Sequence, residues 1–233
     1  MATEVKKAPE QQATEKKTSE ERVVASAQQF WSKSGKFVVY GLTIGILVAA
    51  GFFVYKNYFV APEEEKAAEA MWKAQQYFQA DSFRLALNGD GANQGFLRVT
   101  SKFGSTKSGN LAKFYAGVCY LQLGDFNNAV KYLKDFSTDQ KIINLQATGL
   151  LGDAYSELGK KQEAVDHYKK AGTMYPDDEV HSPEYLFRAA MMYQDLGKTQ
   201  EAIDALHIIK DKYPTSTRNA DVEKYLGKLG DTK

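Results

Sequence analysis

Three copies of one eleven-residue pattern decide the fold. They read YLQLGDFNNAV at residues 120–130, YSELGKKQEAV at residues 155–165 and YQDLGKTQEAI at residues 193–203. A tyrosine, a leucine, a glycine, an alanine and a β-branched residue keep their places, and the copies start 35 and then 38 residues apart. Self-similarity at such a period indicates a repeat architecture, in which each unit buries its apolar face against its neighbours.

The spacing within each copy predicts a helical hairpin. In the second copy Tyr155 and Leu158 lie three residues apart, so they share one face of a first helix. Gly159 follows, and glycine commonly ends a helix in the left-handed conformation. Ala164 then begins the buried face of a second helix, where its small side chain lets the two helices approach closely. We therefore expect an all-α fold, a solenoid of helix hairpins.

The limits of this array follow from the surrounding sequence. Pro176 and Pro214 end the second helices of the second and third copies, because proline cannot continue a helix. Residues 110–230 are predicted to hold the repeats and a C-terminal capping helix. Residues 60–109 have helical periodicity but no full copy of the pattern, and we expect a degenerate first helix hairpin with an inserted loop there.

The N-terminal quarter has a different composition. Residues 1–21 are polar and cannot bury enough apolar surface to offset their ordering entropy, so we expect a disordered tail. Residues 22–36 place apolar side chains near helical spacing, which predicts an amphipathic helix at a membrane surface. Residues 37–59 are predicted to form a transmembrane helix. Their first 19 residues carry no charge and as a helix reach about 28 Å, close to the hydrocarbon thickness.

Two other interpretations of this apolar segment stay open. A buried core helix is rarely apolar on every face over such a length. A cleaved signal peptide could be cut after residues 48–50, but its leader would be too long and the apolar run continues beyond the cut. Within the segment, Gly41, Gly45 and Ala49 recur every four residues. Such a stripe lets two helices pack closely, although small residues are also simply common in spanning helices.

Positive charge gives the orientation. Seven basic residues precede the apolar segment, whereas Lys56 and Lys66 follow it among several glutamates. The positive-inside rule then favours, by a narrow margin, a cytoplasmic N-terminus with the repeats on the far side of the membrane.

Composition and motifs exclude several functions. The 30 basic and 29 acidic residues leave a net charge of +1, too small for sequence-independent nucleic-acid binding. Cys119 is the single cysteine, which excludes an intrachain disulfide. The glycine-rich residues 88–95 lack the lysine of a phosphate-binding loop and the oxygen ligands of a calcium loop, so a turn is expected. We find no catalytic motif, and predict no enzymatic activity, cofactor, metal or small-molecule substrate.

The repeated pattern resembles tetratricopeptide repeats over residues 110–214. It departs from them where a large aromatic residue is usual early in the first helix, since Lys113, Thr148 and Leu186 stand at that position. The resemblance implies an array of hairpins that binds other proteins with the surface lined by its first helices.

The register of these repeats implies a partner-binding groove. Its lining would be Phe114, Val118 and Leu121 in the first copy, Asp153 and Ser156 in the second, and Phe187, Met191 and Gln194 in the third. An apolar-lined groove of this kind suits an amphipathic helix or an extended peptide. Phe114 and Phe187 could instead pack between repeats. Phe114 and Val118 also stand where some repeats carry a lysine and an asparagine that bind a peptide carboxylate, so that clamp is not expected.

The whole layout is similar to the YfgM-type tetratricopeptide-like proteins, ancillary subunits of the Sec translocon, in their Bacteroidetes-type form. The likeness includes DSF at residues 81–83, ALNGDG at 86–91 and LAKFYAG at 111–117. It implies a single-pass protein of the bacterial inner membrane with a periplasmic repeat domain. The implied protein partners are the SecYEG channel, a membrane-anchored periplasmic chaperone of the prolyl isomerase type, and client polypeptides. The alternative is a general envelope-assembly adaptor that is not tied to the translocon.

Overall fold

The computed structural model describes residues 19–231, and the chain divides between Tyr58 and Phe59 into two units. The first unit is the helix α1, Ser19–Tyr55. A π-helical turn follows at Lys56–Val60. Most of the tail expected at residues 1–21 lies outside the described residues.

A single helix replaces the two that the sequence suggested for residues 22–36 and 37–59. α1 runs through both without a break, and only residues 56–59 fall in the π-helical turn. Gly35 does not interrupt the helix, because one glycine in a helix interior costs only about 1 kcal/mol. This helix near the N-terminus is long and apolar enough to cross a membrane, and none of its apolar window is buried. A core helix of a soluble protein would be mostly buried, so this exposure argues against that interpretation of the segment.

The second unit consists of helices joined by short loops. They are α2 (Ala61–Gln79), α3 (Phe83–Asn88), α4 (Phe96–Phe103), α5 (Lys107–Gln122), α6 (Phe126–Asp135), α7 (Lys141–Glu157), α8 (Lys161–Met174), α9 (His181–Asp195), α10 (Thr199–Lys212) and α11 (Asn219–Lys228). The all-α prediction is confirmed. Between Ser19 and Asp231 no β-strand occurs, and Gly89 and Gln94 form one isolated bridge.

The three copies of the pattern form three hairpins, α5–α6, α7–α8 and α9–α10. The pattern alanines Ala129, Ala164 and Ala202 are fully buried, which fits the close helix approach expected of them. Successive helices pack on one another along the chain, and α7 also touches both α5 and α9. The first helices therefore lie side by side, as a repeat array requires.

One hydrogen-bond motif ends the first helix of every hairpin. In it, a backbone N–H donates to the carbonyl of the residue five places earlier, and the residue just before the donor has positive φ. The acceptors and donors are Tyr77 and Ser82, Tyr120 and Asp125, Tyr155 and Lys160, Tyr193 and Lys198, and Leu226 and Asp231, at 2.9 to 3.0 Å. α2 and α11 thus end like the first helices of the three copies, although neither segment carries the sequence pattern.

The insertion between α3 and α4 is a turn held by its own hydrogen bonds and by one from α2. The Asp90 carboxylate accepts hydrogen bonds from the Tyr77 hydroxyl at 2.6 Å and from the Asn93 backbone and side chain. These hydrogen bonds lower the pKa of Asp90, and the bond from Tyr77 has the largest effect. The carboxylate is therefore occupied by the loop itself and by Tyr77 of α2, as expected of a turn and not of a ligand site.

α2 is tied to the first repeat by Glu64. Its carboxylate accepts hydrogen bonds from the backbone N–H groups of Lys107 and Ser108, at 2.7 and 2.8 Å, and from the Ser108 hydroxyl at 2.6 Å. The first N–H groups of a helix have no partner within it, and an anion there is also favoured by the helix dipole. Glu64 therefore caps α5 from a neighbouring helix.

Candidate protein-binding surface

The first copy keeps an apolar first-helix face, but part of it is packed. Phe114, Val118 and Leu121 are all half-buried on α5. The Phe114 ring lies 5.5 Å from the ring of Phe136, which follows α6 directly. Phe114 therefore contributes to packing within the hairpin, and both Phe114 and Leu121 also pack against the buried core of the repeats.

Phe187 is not a groove residue. Only 7 % of it is exposed. Its ring packs edge-on against Tyr225 at 5.1 Å, and the Arg218 guanidinium lies over it at 4.7 Å. The sequence prediction is wrong here because α11 packs on the last hairpin and covers this position with its own aromatic side chain.

Asp153 lies at the predicted place but is already paired. It accepts a hydrogen bond from the Tyr168 hydroxyl at 2.7 Å and one from the Arg188 guanidinium at 2.6 Å. Arg188 also donates to Glu184 at 3.0 Å, and Arg218 donates to the same carboxylate. We call Asp153, Arg188, Glu184 and Arg218 the ion-pair ladder, which connects α7, α9 and the start of α11.

The ladder shifts the pKa values of Arg188 and Glu184. Burial by itself would lower the pKa of Arg188, but Asp153 and Glu184 outweigh burial and raise it. Burial would likewise raise the pKa of Glu184, and the hydrogen bonds from Arg218 and Arg188 lower it instead. Arg188 and Glu184 are therefore both charged at neutral pH. The second copy therefore places a paired charge, that of Asp153, at a predicted groove position.

The remaining predicted groove residues keep some access to solvent. Ser156 and Met191 are half-buried, and Gln194 is exposed. Together with Val118 and Leu121 they form the open part of the face. We call these five residues the first-helix face.

Sequence reasoning missed the ladder, although one signal for it was present. Glu184 and Arg188 are four residues apart on one helix, the spacing at which opposite charges meet. The partners Asp153 and Arg218 are more than 29 residues from Arg188, and no local pattern connects them. The ion-pair role of the half-buried Asp153 on α7 becomes visible only when the position of α9 is known.

The other chemically notable side chains are structural. Cys119 is fully buried, and burial raises the pKa of its thiol to about 12, so it stays protonated and unreactive. Among the side chains that the structure describes, no three His, Cys, Asp or Glu residues come together as a metal site requires. On α1, Gly41, Gly45 and Ala49 are exposed, and their role in helix packing stays a prediction.

Comparison with protein families identifies the repeats. Residues 28–151 match a tetratricopeptide repeat-like domain, and residues 145–178 and 184–216 each match a tetratricopeptide repeat. The first match alone covers more than half of the chain. The chain belongs to the tetratricopeptide repeat-like family. No curated protein matches it in sequence.

Membership in the tetratricopeptide repeat-like family establishes the general class of function. Tetratricopeptide repeats mediate protein–protein interactions, and families built from them are generally non-enzymatic. The chain is therefore a protein-interaction scaffold, and its partners are proteins. It also carries a helix that is long and apolar enough to cross a membrane.

Proposed function

We propose that this protein is a membrane-anchored scaffold of the bacterial inner membrane and an ancillary subunit of the SecYEG translocon. In this role it assists secreted or envelope proteins together with a membrane-anchored periplasmic chaperone of the prolyl isomerase type. The observation that carries the proposal is one apolar helix, α1, in the same chain as a tetratricopeptide array. The likeness of its layout to the YfgM-type proteins supports the choice of the translocon.

The distribution of charge supports a periplasmic array. The basic residues of the leader favour a cytoplasmic N-terminus. A single span then leaves the repeats on the opposite side, where polypeptides emerge from the channel. The array itself needs no cofactor for this task, since binding depends on its surface alone.

The first-helix face is the surface that we assign to partners. Val118 and Leu121 provide apolar contact in the first copy, and Ser156 and Gln194 provide polar contact farther along. The ion-pair ladder adds fixed charges beside the polar part. A partner segment that is apolar at one end and polar at the other complements this arrangement, as an amphipathic helix or an extended peptide can.

Site-specific photo-crosslinking in cells tests the assignment. A photoreactive amino acid replaces Val118 or Gln194, and as a control it replaces Lys169, which is exposed on the second helix α8. Crosslinks to a SecYEG component from Val118 or Gln194, but not from Lys169, are the expected result. Recovery of cell-wall or outer-membrane assembly proteins without any translocon component would support the general envelope-assembly adaptor instead.

A further inference from the structure

A cavity of about 630 Å³ lies between α4, α5 and α6. Leu97 and Thr100 line it from α4, and Lys113 lines it from α5. Lys131 and Tyr132 line it from α6, with Lys134 and Asp135 at the end of that helix. Its volume is within the range of ligand pockets, about 300 to 1,000 Å³. None of these residues belongs to the first-helix face or to the ion-pair ladder.

The repeat register distinguishes the first copy at this place. Lys113, Thr148 and Leu186 each stand seven residues before the tyrosine of their copy. In the later copies this position is filled, because Thr148 is 6 % and Leu186 is 1 % exposed. The Lys113 ammonium group instead pairs with the Asp135 carboxylate at 2.9 Å. The Lys113 side chain is only 17 % exposed, so the first copy has a half-buried ion pair beside the cavity where the other two copies have a buried neutral side chain.

Positive charge lies beside the cavity. Lys131 and Lys134 are three residues apart on α6, so they share a face. In the described part of the chain neither has a carboxylate within ion-pair distance, and each ammonium lies over a tyrosine ring, at 5.6 Å from Tyr132 and 5.4 Å from Tyr155. Asp135 already balances Lys113. Two positive charges are therefore left for a ligand.

We propose that this cavity binds an acidic peptide segment of a partner protein. An apolar side chain of the segment enters between Leu97 and Tyr132. Carboxylates on either side of it pair with Lys131 and Lys134. Lysines on a flat surface would bind an acidic peptide and a lipid surface equally well. The concave shape favours the peptide, because it accommodates a side chain. The site is independent of the translocon assignment.

Fluorescence anisotropy tests the proposal with the full chain in nanodiscs of zwitterionic lipid. The probe is the labelled peptide Glu-Glu-Phe-Glu-Glu, compared with Gln-Gln-Phe-Gln-Gln and Glu-Glu-Gly-Glu-Glu. We expect only the first to bind measurably at low salt. The double variant K131Q/K134Q should weaken its binding about tenfold, given the usual worth of two exposed charge pairs.

Two further variants separate charge from shape. Thr100→Phe, at a position that lines the cavity, adds a ring to it without changing any charge, so it should weaken binding about tenfold, and an unchanged urea midpoint shows that the fold is kept. The matched control is K224Q/K228Q, because both of those ammonium groups also lie over a tyrosine ring, that of Tyr225. This control should bind the peptide like the unmodified protein.

Three results would overturn the proposal. The first is equal binding of the glutamine peptide, and the second is an equal loss in K224Q/K228Q, since either shows that the cavity does not select the ligand. The third is that Glu-Glu-Phe-Glu-Glu does not bind. Protection of Lys131 and Lys134 from acetylation in nanodiscs containing anionic lipid would then assign these lysines to a lipid surface.

Discussion

Asp153 and Arg188 come from successive first helices, and 2.6 Å separates the carboxylate oxygen of one from the guanidinium nitrogen of the other. The Tyr168 hydroxyl donates to the same carboxylate oxygen. Three helices of the array, α7, α8 and α9, therefore meet at one side chain. Asp153 thus adds polar contacts with α8 and α9 to the apolar packing of these helices.

Removal of Arg188 should loosen this contact. We expect Arg188→Met to lower the free energy of unfolding by about 1 kcal/mol, because Asp153 loses its charge partner in a half-buried place while solvent still screens part of the interaction. Urea denaturation of the protein in detergent measures the change. Lys161→Met is the control, since the Lys161–Asp195 pair also joins neighbouring helices but is 3.7 Å long and mostly exposed. Equal losses in the two variants would contradict the structural role of the ladder.

Gly149 is a second point of close approach between α7 and α9. A Cβ built there would lie 2.0 Å from Cε1 of Tyr185, which is itself buried. Gly149→Ala should therefore cost about 1 to 3 kcal/mol, as overpacking usually does. Gly227→Ala is the matched control, because a Cβ there meets no atom within 4 Å. In that case alanine should stabilise α11 by about 0.5 to 1 kcal/mol. The urea midpoint should fall in Gly149→Ala and rise in Gly227→Ala. A higher midpoint in Gly149→Ala would refute the close packing of Gly149 against Tyr185.

Asp81 occupies the left-handed position that glycine holds in the three copies. Its φ is 51°, and the φ of Gly159 at the equivalent place is 71°. Asp81→Gly should stabilise the protein by about 0.5 kcal/mol, because a residue with a Cβ is strained there. Gly159→Ala should destabilise it by about 1 kcal/mol for the same reason. Thermal denaturation of the two variants checks both signs, and a loss of stability in Asp81→Gly would show that the aspartate contributes more than its backbone conformation.

The Glu64 cap should make stability depend on pH. Burial alone would raise the pKa of Glu64, but the hydrogen bonds from Ser108 and Lys107 outweigh burial and hold the pKa below 4.5, its ordinary value. A carboxyl group with a lowered folded-state pKa stabilises the fold above its ordinary pKa, and this contribution is lost as the pH falls through the folded-state pKa. Glu64→Gln should thus lower the urea midpoint at about pH 7, and the difference should shrink below about pH 4.

Glu65→Gln is the control for this measurement. Glu65 is its exposed neighbour on α2, so its loss should leave the midpoint nearly unchanged at both pH values. If the effect of Glu64→Gln is the same at both pH values, the carboxylate does not act as a charged cap on α5.

The repeated pattern was sufficient to predict the all-α array, because its tyrosine, glycine and alanine each have a local role. It was not sufficient for the first hairpin, where Asp81 performs the role of glycine and hides the equivalence of Tyr77 with the later tyrosines. Phe187 illustrates a second limit, since its burial depends on Tyr225 of the capping helix. Whether such a residue is buried depends on contacts between elements that are distant in sequence, and the residues around it do not reveal those contacts.

The most direct test of the central claim, a binding array held outside the cytoplasm by one spanning helix, is cysteine labelling in intact spheroplasts. The native Cys119 is fully buried and should not react, so a membrane-impermeant maleimide reports only on introduced cysteines. We predict that Lys228→Cys, exposed on α11, is labelled without permeabilisation and that Ala13→Cys is labelled only after it. Labelling of Lys228→Cys only after permeabilisation would contradict the account.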